Sequence, residues 1–535
     1  MLDRLTGKSV HLYIHLFSCI ILASGLPASK IPLSLGTMLL FLNILLEAKF
    51  KIYWQNLKTN KLAWGLWFFI ACEWMSLLWT HDFGYAMHDF NAKLPLYSIP
   101  LVLVAKPITE RKHLYLIGVF FLASVFVISF INVGTYMHWW GNKVYDDIRG
   151  LSLFGSHIRY ALMIVMGIAL CIAWFIERLP YRIIPLIMMG WWLWYTYFSQ
   201  IISGYLSAGI LLLVCALFLL YSLKQRVLKN ALLITTLLAL GGFGWWITDF
   251  FQPTPHRISL SNPDHYTANG NWYRTDTNFV IWENGYPVVA YISEVELEKA
   301  WNDVSDIDYK TGKDHKQQPL YLTLWRYMSS KGLRKDSLGF CSMSRTDIQF
   351  VENGFASVCL TKGGFMARLY GLKHQIEHPE NPNGHSLLQR LEYWKAARSI
   401  IRENWLLGVG SGDVDQTFKT YYATHSTLLL PELQLRAHNQ YMTSWISSGI
   451  FGFVGFLVWW ILFLRAGWKK RSFIVVAFAG IALSSFLIED TLETLMGVAF
   501  ISLFYGLLVG NQKIWPTGRA ISYLKAHPSL PRINE

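Results

Sequence analysis

The sequence has few charged residues and few cysteines, and these shortages exclude several classes of protein. Only 15% of its 535 residues are charged, which is less than soluble globular proteins usually carry. Its six cysteines form no Cys-x-x-Cys pair and no side chains cluster at metal-ligand spacing, so we expect no zinc site, no other metal and no cofactor. The net charge of +13 lies mostly in short loops between apolar runs, so we also expect no nucleic-acid partner.

Long hydrophobic runs and aromatic residues dominate the chain instead. Hydrophobic residues make up 53% of it, and it contains 24 Trp, 27 Tyr and 33 Phe. Because roughly 20 apolar residues in a helix cross a bilayer, the runs predict an all-α integral membrane protein with about twelve transmembrane helices surrounded by membrane lipids. The predicted segments are 10–28, 32–48, 62–79, 94–105, 113–133, 154–177, 183–199, 201–221, 231–251, 438–464, 472–488 and 494–510.

Lysine and arginine are concentrated in alternate loops, and this asymmetry predicts the orientation of the helices. Loops such as those carrying Lys58 and Lys112 are predicted to be cytoplasmic, together with both termini. Cys341 and Cys359 then lie in an outer insert, where they either form a disulfide or remain free. The predicted organisation is a nine-helix bundle in 1–251, the outer insert in 252–434, further transmembrane helices in 435–512 and a cytoplasmic tail in 513–535.

The outer insert contains two elements that can be predicted from local pattern. In WENGYPVVAYI, at 282–292, an Asn-Gly pair precedes alternating apolar residues, which predicts a β-hairpin. Residues 386–404 predict a helix that lies on the membrane surface or covers the bundle, with Ser386 and Gln389 as a capping box. The predicted apolar face of this helix consists of Leu387, Leu391 and Trp394.

Charged side chains and a histidine occur at the predicted outer ends of membrane segments. Lys93 enters the fourth segment, Arg159 the sixth and His438 the tenth. Arg390 lies on the predicted surface helix. Charges at the membrane boundary are costly and are usually either paired or functional. Cations suit an anionic phosphate-linked substrate, and a neutral histidine can accept a proton from a hydroxyl, so the set indicates transfer from a phosphate-linked donor to a hydroxyl. The short outer loop LIEDTLET contributes Glu489, Asp490 and Glu493.

Each of these residues also has a purely structural interpretation. His438 could cap a helix at the membrane interface, and Lys93 could anchor one there. Arg159 could pair with Glu489 or Asp490. The glycine-rich stretch GVGSG is not followed by the Gly-Lys-Ser/Thr of a phosphate-binding loop, so a flexible helix-ending turn is its favoured role.

Three motifs in a fixed order give the sequence a family resemblance. They are an Arg-Leu-x-x-Trp helix at 390–394, an Asn-Trp-x-x-Gly-x-Gly-x-Gly turn at 404–412 and a His-Asn-x-Tyr start of a membrane helix at 438–441. Together with the stretches SLLWTHD and IEDTLET, they resemble the O-antigen ligase and O-antigen polymerase superfamily. The resemblance implies a GT-C-like, multi-pass glycosyltransferase of the bacterial inner membrane, with a periplasmic insert and an active site that faces the periplasm.

The resemblance also implies a reaction and roles for individual residues. The glycan donor would be undecaprenyl-pyrophosphate-linked, and the acceptor would be a hydroxyl of the lipid A core, another lipid-linked repeat in a polymerase, or a protein. By this resemblance, His438 matches the catalytic histidine and Arg390 the arginine of the periplasmic helix. Their charge and predicted side of the membrane, rather than the resemblance, suggest that Arg159 and Lys93 add positive charge for the pyrophosphate. The predicted supporting residues are Asn439, Tyr441, Glu489 and Asp490.

The sequence departs from the superfamily at one position. Many members carry a Ser-Arg pair at the outer end of the helix before the main loop, whereas here Ser203 is followed by Gly204. Either Arg159 supplies this charge from a neighbouring helix, or pyrophosphate binding is organised differently. Outside the superfamily, the alternative is a transporter of an anionic lipid-linked sugar, but the sequence shows no convincing internal repeat of the kind many transporters have.

Overall fold

The computed structural model describes residues 8–140, 148–261, 263–276 and 281–512, so the predicted tail, 513–535, lies outside the described residues. Within these described residues, one two-stranded sheet pairs β1 (Trp282–Glu283) with β2 (Tyr286–Pro287). The helices are α1 (Lys8–Gly25), α2 (Lys30–Glu47), α3 (Phe50–Thr59), α4 (Trp64–Met75), α5 (Phe83–Ala105), α6 (Arg111–Tyr136), α7 (His157–Ile176), α8 (Ile183–Ser199), α9 (Ile202–Ser222), α10 (Arg226–Phe250), α11 (Glu294–Asn302), α12 (Leu320–Ser330), α13 (Ser337–Cys341), α14 (Arg345–Glu352), α15 (Gly364–Glu377), α16 (Ser386–Glu403), α17 (Val414–Thr424), α18 (Gln440–Lys469), α19 (Phe473–Ile488) and α20 (Leu495–Gly510).

The chain forms two compact units, whose boundaries near 237 and 379 lie before the predicted ones at 251 and 434. Of the described residues, the first unit contains those in 8–140, 149–237 and 380–512, and the second contains 148 and those in 238–379. The last part of the predicted insert, 380–434, therefore belongs to the first unit together with the membrane helices.

Each of the twelve predicted apolar segments coincides with a helix, but twelve crossings are not confirmed. Six helices of the described residues are long and apolar enough to span a membrane by themselves. A seventh span results if α3 and Trp64–Trp79, which are bent by 97° relative to each other, count as one broken span. Three further apolar helices, Val10–Gly25, Phe473–Ile488 and Leu495–Gly510, are shorter than the roughly 20 residues that a straight span needs. The six are α2, α6, α7, α9, α10 and α18.

The predicted fourth segment, 94–105, is the second half of a longer helix. α5 begins at Phe83, and its first half carries polar residues such as Asp89 and Lys93 that hide it from a search for apolar runs. Pro95 and Pro100 lie inside this helix. α3 also forms in a loop where the sequence predicted no helix, because charged and polar side chains interrupt its apolar residues.

The core of the first unit is an aromatic-rich helical bundle. α20 packs along α5, α18 along α4 and α19 along α9. Close helix contacts occur at glycines: a Cβ on Gly65 of α4 would lie 3.0 Å from the Cα of Trp459 in α18. Small residues at such crossings let membrane helices approach closely. The largest fully buried side chains of α18 and α20 are Trp459, Trp460, Phe456 and Tyr505.

α16 forms as predicted at 386–403, but its cap and its buried face differ from the prediction. Ser386 is the first helical residue and the N-cap is His385, so the predicted capping box with Gln389 is wrong. The predicted apolar face is also wrong, because Leu391 is 49% exposed. The face that is buried packs against α17 and the chain before α18, and it consists of Leu388, Tyr393, Ala396, Ala397 and Ile400.

The second unit has its own hydrophobic core and contains the predicted hairpin. Trp282 pairs with Pro287 and Glu283 with Tyr286, so the Asn-Gly turn prediction is confirmed. Asn284 and Gly285 have φ values of 52° and 83°, as a tight turn of this kind requires. In the described structure Cys341 and Cys359 are both free, so the alternative without a disulfide applies.

Candidate active site

α18 is broken close to its beginning, at Gly449. This residue has φ 62° and ψ −157°, so helical hydrogen bonds across this point are lost. The glycine-rich turn after α16 replaces them, because Val409 and Gly410 donate their backbone N–H groups to the carbonyl oxygens of Ile446 and Ser447 at 2.8 and 3.0 Å. Broken helices within a membrane need such partners, since their free carbonyls cannot reach water.

Two glycines allow the turn and the broken helix to approach each other. Gly408 has φ 75°, and a Cβ there would lie 2.5 Å from the backbone nitrogen of Gly449. A Cβ on Gly449 would overlap the carbonyl oxygen of Leu406. The turn follows the end of α16, as predicted, but backbone hydrogen bonds to α18 hold it in place.

The other side of the same turn binds the connection between α4 and α5. The Gly412 N–H donates to the hydroxyl oxygen of Thr80 at 3.3 Å. The carboxylate of Asp413 accepts the backbone N–H groups of His81 and Asp82 at 2.9 and 2.8 Å. Burial raises the pKa of Asp413, but these hydrogen bonds outweigh it and hold the pKa below its usual value. The SLLWTHD stretch and the glycine-rich turn, distant in sequence, are thus one structural unit.

His438 lies immediately before α18, where its backbone is strained and hydrogen bonds hold the residues on both sides of it. Its φ is 46°, which non-glycine residues rarely adopt. On one side, the carbonyl oxygen of Ala437 accepts the indole N–H of Trp394 at 3.0 Å. On the other side, Asn439 is the N-cap of α18 and donates its side-chain N–H to the carbonyl oxygen of Leu487 at 3.1 Å. The His438 side chain is 32% exposed, so a substrate can reach it.

Glu489, in the loop between α19 and α20, gathers three of the predicted site residues. Its Oε1 accepts an N–H of Arg390 at 3.1 Å. Its Oε2 lies 3.6 Å from a terminal guanidinium nitrogen of Arg159 and 3.6 Å from Nδ1 of His438. Residues from α7, α16 and the chain just before α18 therefore meet at one carboxylate of the α19–α20 loop.

We call the connection between α19 and α20, which carries Glu489, Asp490 and Glu493, the acidic loop; its ionisation depends on burial and on the cations around it. Burial raises the pKa of Glu489, but nearby His438, Arg159 and Arg390 outweigh burial and lower this pKa below its usual value. For Asp490 burial is the stronger effect, so its pKa is raised in spite of neighbouring positive charge. Glu489 is thus the member of this pair that stays ionised as the pH falls.

Lys93 lies in a second charged cluster rather than beside His438. Its side chain is only 7% exposed, and its Nζ is 2.8 Å from Asp89, 3.0 Å from Glu493 and 3.3 Å from Glu73. Glu493 also pairs with Arg436 at 3.4 Å. Three carboxylates already oppose the charge of Lys93, so this residue fixes α5 to the acidic loop.

Glu73 connects this second cluster to the break in α18. One carboxylate oxygen faces Lys93, and the other accepts the hydroxyls of Ser447 and Ser448 at 3.1 and 2.8 Å. Glu73 lies in an apolar run of α4, and a lone carboxylate in such a run is a signal of function or pairing that was available in the sequence but not used. Asp89 and Arg436 were also not assigned from the sequence.

Two buried nitrogen atoms near Glu489 have no hydrogen-bond partner among the described residues. They are Nε of Arg159 and Nδ1 of His438. The helix that lacks the superfamily arginine is adjacent, because a Cβ on Gly204 of α9 would lie 3.3 Å from the Cβ of Ala161 in α7. Arg159 therefore lies on the helix that packs against the position where the arginine is missing.

The remaining predicted residues support the elements that carry the site. The hydroxyl of Tyr441 donates to the carbonyl oxygen of Leu483 at 3.2 Å, which ties α18 to α19. Asp490 accepts the hydroxyl of Thr443 at 2.7 Å, which ties the acidic loop to α18. Within the described part of the chain, no group of three or more His, Cys, Asp or Glu side chains is placed to hold a metal ion.

A comparison with protein-family models agrees with this region of the chain. Residues 354–457 match the O-antigen ligase family. The O-antigen ligase match contains α16, the glycine-rich turn, His438 and the break in α18, so the resemblance to the O-antigen ligase and polymerase superfamily is confirmed where the site residues are densest. Together with the apolar helices, it identifies a multi-pass membrane protein of the kind found in bacteria. No curated protein matches the chain.

Proposed function

We propose that this protein transfers a glycan from undecaprenyl pyrophosphate to a hydroxyl of the lipid A core, or of another glycan acceptor, at the periplasmic face of the bacterial inner membrane. The observation that carries the proposal is the meeting of His438, Arg159 and Arg390 at Glu489, at the outer end of α18 in the predicted topology. This arrangement combines a base with two guanidinium groups, as an anionic leaving group and a hydroxyl nucleophile require.

In the proposed reaction, His438 accepts the proton of the acceptor hydroxyl. The hydroxyl oxygen forms a bond to the anomeric carbon of the donor, and the bond from that carbon to the pyrophosphate oxygen breaks. Undecaprenyl pyrophosphate leaves with the bonding electrons, and attack from the opposite face inverts the anomeric centre. Because Nδ1 of His438 faces Glu489, Nε2 is the nitrogen left to take the proton, and Glu489 orients the ring.

The pyrophosphate is proposed to bind Arg159 and Arg390. Arg159 has an unpartnered Nε–H among the described residues, so it can bind a phosphate oxygen while keeping its contact with Glu489. Arg390 is 21% exposed and reaches the same carboxylate from the other side. Three carboxylates already surround the Lys93 ammonium group, so it is not available to a phosphate. This favours a supporting role for Lys93 in holding the acidic loop.

The test is a transfer assay with purified protein, lipid-linked donor and acceptor. We expect His438→Ala to lower turnover at least about 100-fold, as loss of a general base does, while expression and thermal unfolding stay normal. The matched control is His113→Ala, which removes a half-buried histidine from the first turn of α6. Turnover near the wild-type value in His438→Ala would remove this residue from the mechanism.

The products of the same assay separate the proposal from its alternatives. A ligase joins the donor glycan to the lipid A core and releases undecaprenyl pyrophosphate. A polymerase lengthens a lipid-linked glycan and leaves the core unmodified. A transporter moves the intact donor across a vesicle membrane and releases no undecaprenyl pyrophosphate, which would overturn the assignment as an enzyme.

A further inference from the structure

One exposed face of α16 carries cations that the proposed reaction does not use. Lys395, Arg398 and Arg402 follow one another at the spacing of a single helix face, and all three are exposed. None of them forms an ion pair with a described carboxylate. The cations near His438 differ in this respect, because Arg159 and Arg390 both contact Glu489.

These cations border a groove with an aromatic and apolar floor. The groove has a volume of about 390 Å³ and lies between α16 and Tyr421 of α17. Leu391 and Trp394 lie on the same face of α16 as the cations and line the groove with them. Exposed apolar surface next to unpaired cations is the chemistry of a site for an amphipathic anion, because rings stack on aromatic faces while guanidinium groups bind phosphate in a bidentate manner.

The groove begins next to the proposed catalytic histidine. Trp394, in its floor, donates its indole N–H to the carbonyl oxygen of Ala437, the residue before His438. Along α16, Arg398 and Arg402 lie about 12 and 18 Å beyond Arg390, from the rise of a helix. A glycan bound in the groove could therefore place one hydroxyl at His438 and anionic groups several sugar rings away.

We infer that this groove on α16 binds the acceptor, and that the acceptor is an oligosaccharide carrying phosphate groups near the sugar that receives the glycan. The inference rests on the proposed glycosyl transfer and adds the charge and the location of the acceptor. Lys395, Arg398 and Arg402 bind its phosphates, while Trp394 and Tyr421 contact its sugar rings. The donor pyrophosphate remains at Arg159 and Arg390.

The test measures binding rather than turnover, with full-length protein purified in detergent. The probe is a deacylated core oligosaccharide that carries phosphate groups, compared with the same oligosaccharide after phosphatase treatment. The variant combines Lys395→Gln, Arg398→Gln and Arg402→Gln. Its matched control is Lys419→Gln, which removes an exposed cation from α17 that already pairs with Asp415. Arg398→Gln alone serves as the variant if the triple substitution unfolds the protein.

We expect the triple variant to bind the phosphorylated probe at least about tenfold more weakly at low salt, since each tenfold change corresponds to one good charge-assisted contact. Phosphatase treatment should weaken wild-type binding similarly and remove the difference between wild type and variant, while Lys419→Gln binds normally. Equal binding by wild type and triple variant, or equal binding of both probes by wild type, overturns the inference. The inference is also overturned if the triple variant loses binding to phosphatidylglycerol vesicles but still binds the phosphorylated probe like wild type. That result would assign the groove to lipid headgroups.

The outcomes also separate this inference from the proposed function. If wild type binds the phosphorylated probe through the three cations but transfers no glycan, the proposed reaction is wrong and the groove assignment stands. If wild type transfers the glycan while the triple variant binds acceptor normally, the groove assignment is wrong and the reaction stands.

Discussion

Replacing Arg159 by lysine separates a pyrophosphate ligand from a structural ion pair. Arg159 lies 3.6 Å from Glu489, its side chain is 15% exposed, and its Nε has no described hydrogen-bond partner. A lysine keeps the charge opposite Glu489 and removes only donors that the folded protein does not use. We therefore expect Arg159→Lys to change the free energy of unfolding by less than about 1 kcal/mol.

Donor binding should respond much more strongly to the same substitution. A charge-assisted hydrogen bond contributes about 1.5–3 kcal/mol, so loss of the guanidinium fork should weaken binding of undecaprenyl pyrophosphate by about 10- to 100-fold. The assay is equilibrium binding of this lipid to purified protein in detergent, with thermal unfolding measured on the same samples.

Arg436→Lys is the matched control for this prediction. Arg436 uses its guanidinium internally, donating to the hydroxyl of Tyr85 at 2.9 Å and pairing with Glu493. Its lysine variant should lose thermal stability and keep donor affinity, which is the opposite pattern. If Arg159→Lys binds donor like wild type, or behaves like Arg436→Lys, then Arg159 is a structural partner of Glu489 and its proposed role in pyrophosphate binding is refuted.

Three further predictions test other parts of the molecule. Gly449→Ala should destabilise the protein by about 1–3 kcal/mol or more, because Gly449 has a positive φ and an added Cβ would overlap Leu406. The control is Gly209→Ala, in an open stretch of α9, which should leave the melting temperature unchanged. Equal melting temperatures for the two variants would contradict the close backbone contact at Gly449. Burial raises the pKa of Glu296, but its hydrogen bonds outweigh burial and lower the pKa to about 2, so the stability it contributes is complete above its unfolded pKa and is lost as pH falls towards 2. Glu296→Gln should therefore lose about 1–2 kcal/mol at neutral pH, after allowance for solvent screening, and match wild type near pH 2 in pH-dependent unfolding. Transfer activity should survive EDTA, since guanidinium groups offset the pyrophosphate charge, and a loss restored by Mg²⁺ would refute this.

Several features of the fold were predictable because they depend on short stretches of sequence. Apolar runs located twelve helices, and the Asn-Gly pair located the hairpin turn. The helix at 386–403 followed from its periodicity, and the order of the three motifs led to the family that residues 354–457 match. In each case the controlling interactions connect near neighbours in the chain, so local pattern is sufficient.

Other features were not predictable because they depend on which helix packs beside which. The buried face of α16 is opposite to expectation at Leu391, since α17 and the chain before α18 cover a different side. The first half of α5 was missed because its polar residues, including Lys93, are satisfied by carboxylates from α4 and the acidic loop. Asp89 is a local partner of Lys93, but no local pattern indicates that Glu73 from α4 and Glu493, 400 residues further along the chain, will join it.

The sequence by itself determined which side chains are available at the predicted outer ends of the membrane helices: histidines that include His438, several cations and an acidic loop. Only the tertiary structure decided their pairing. Glu489 became the common partner of His438, Arg159 and Arg390, Lys93 was drawn into a separate cluster, and the glycine-rich turn took up the carbonyls freed at Gly449. The physical reason is that a buried charge or an open backbone carbonyl is stable only beside a partner, and helix packing determines which partner is within reach.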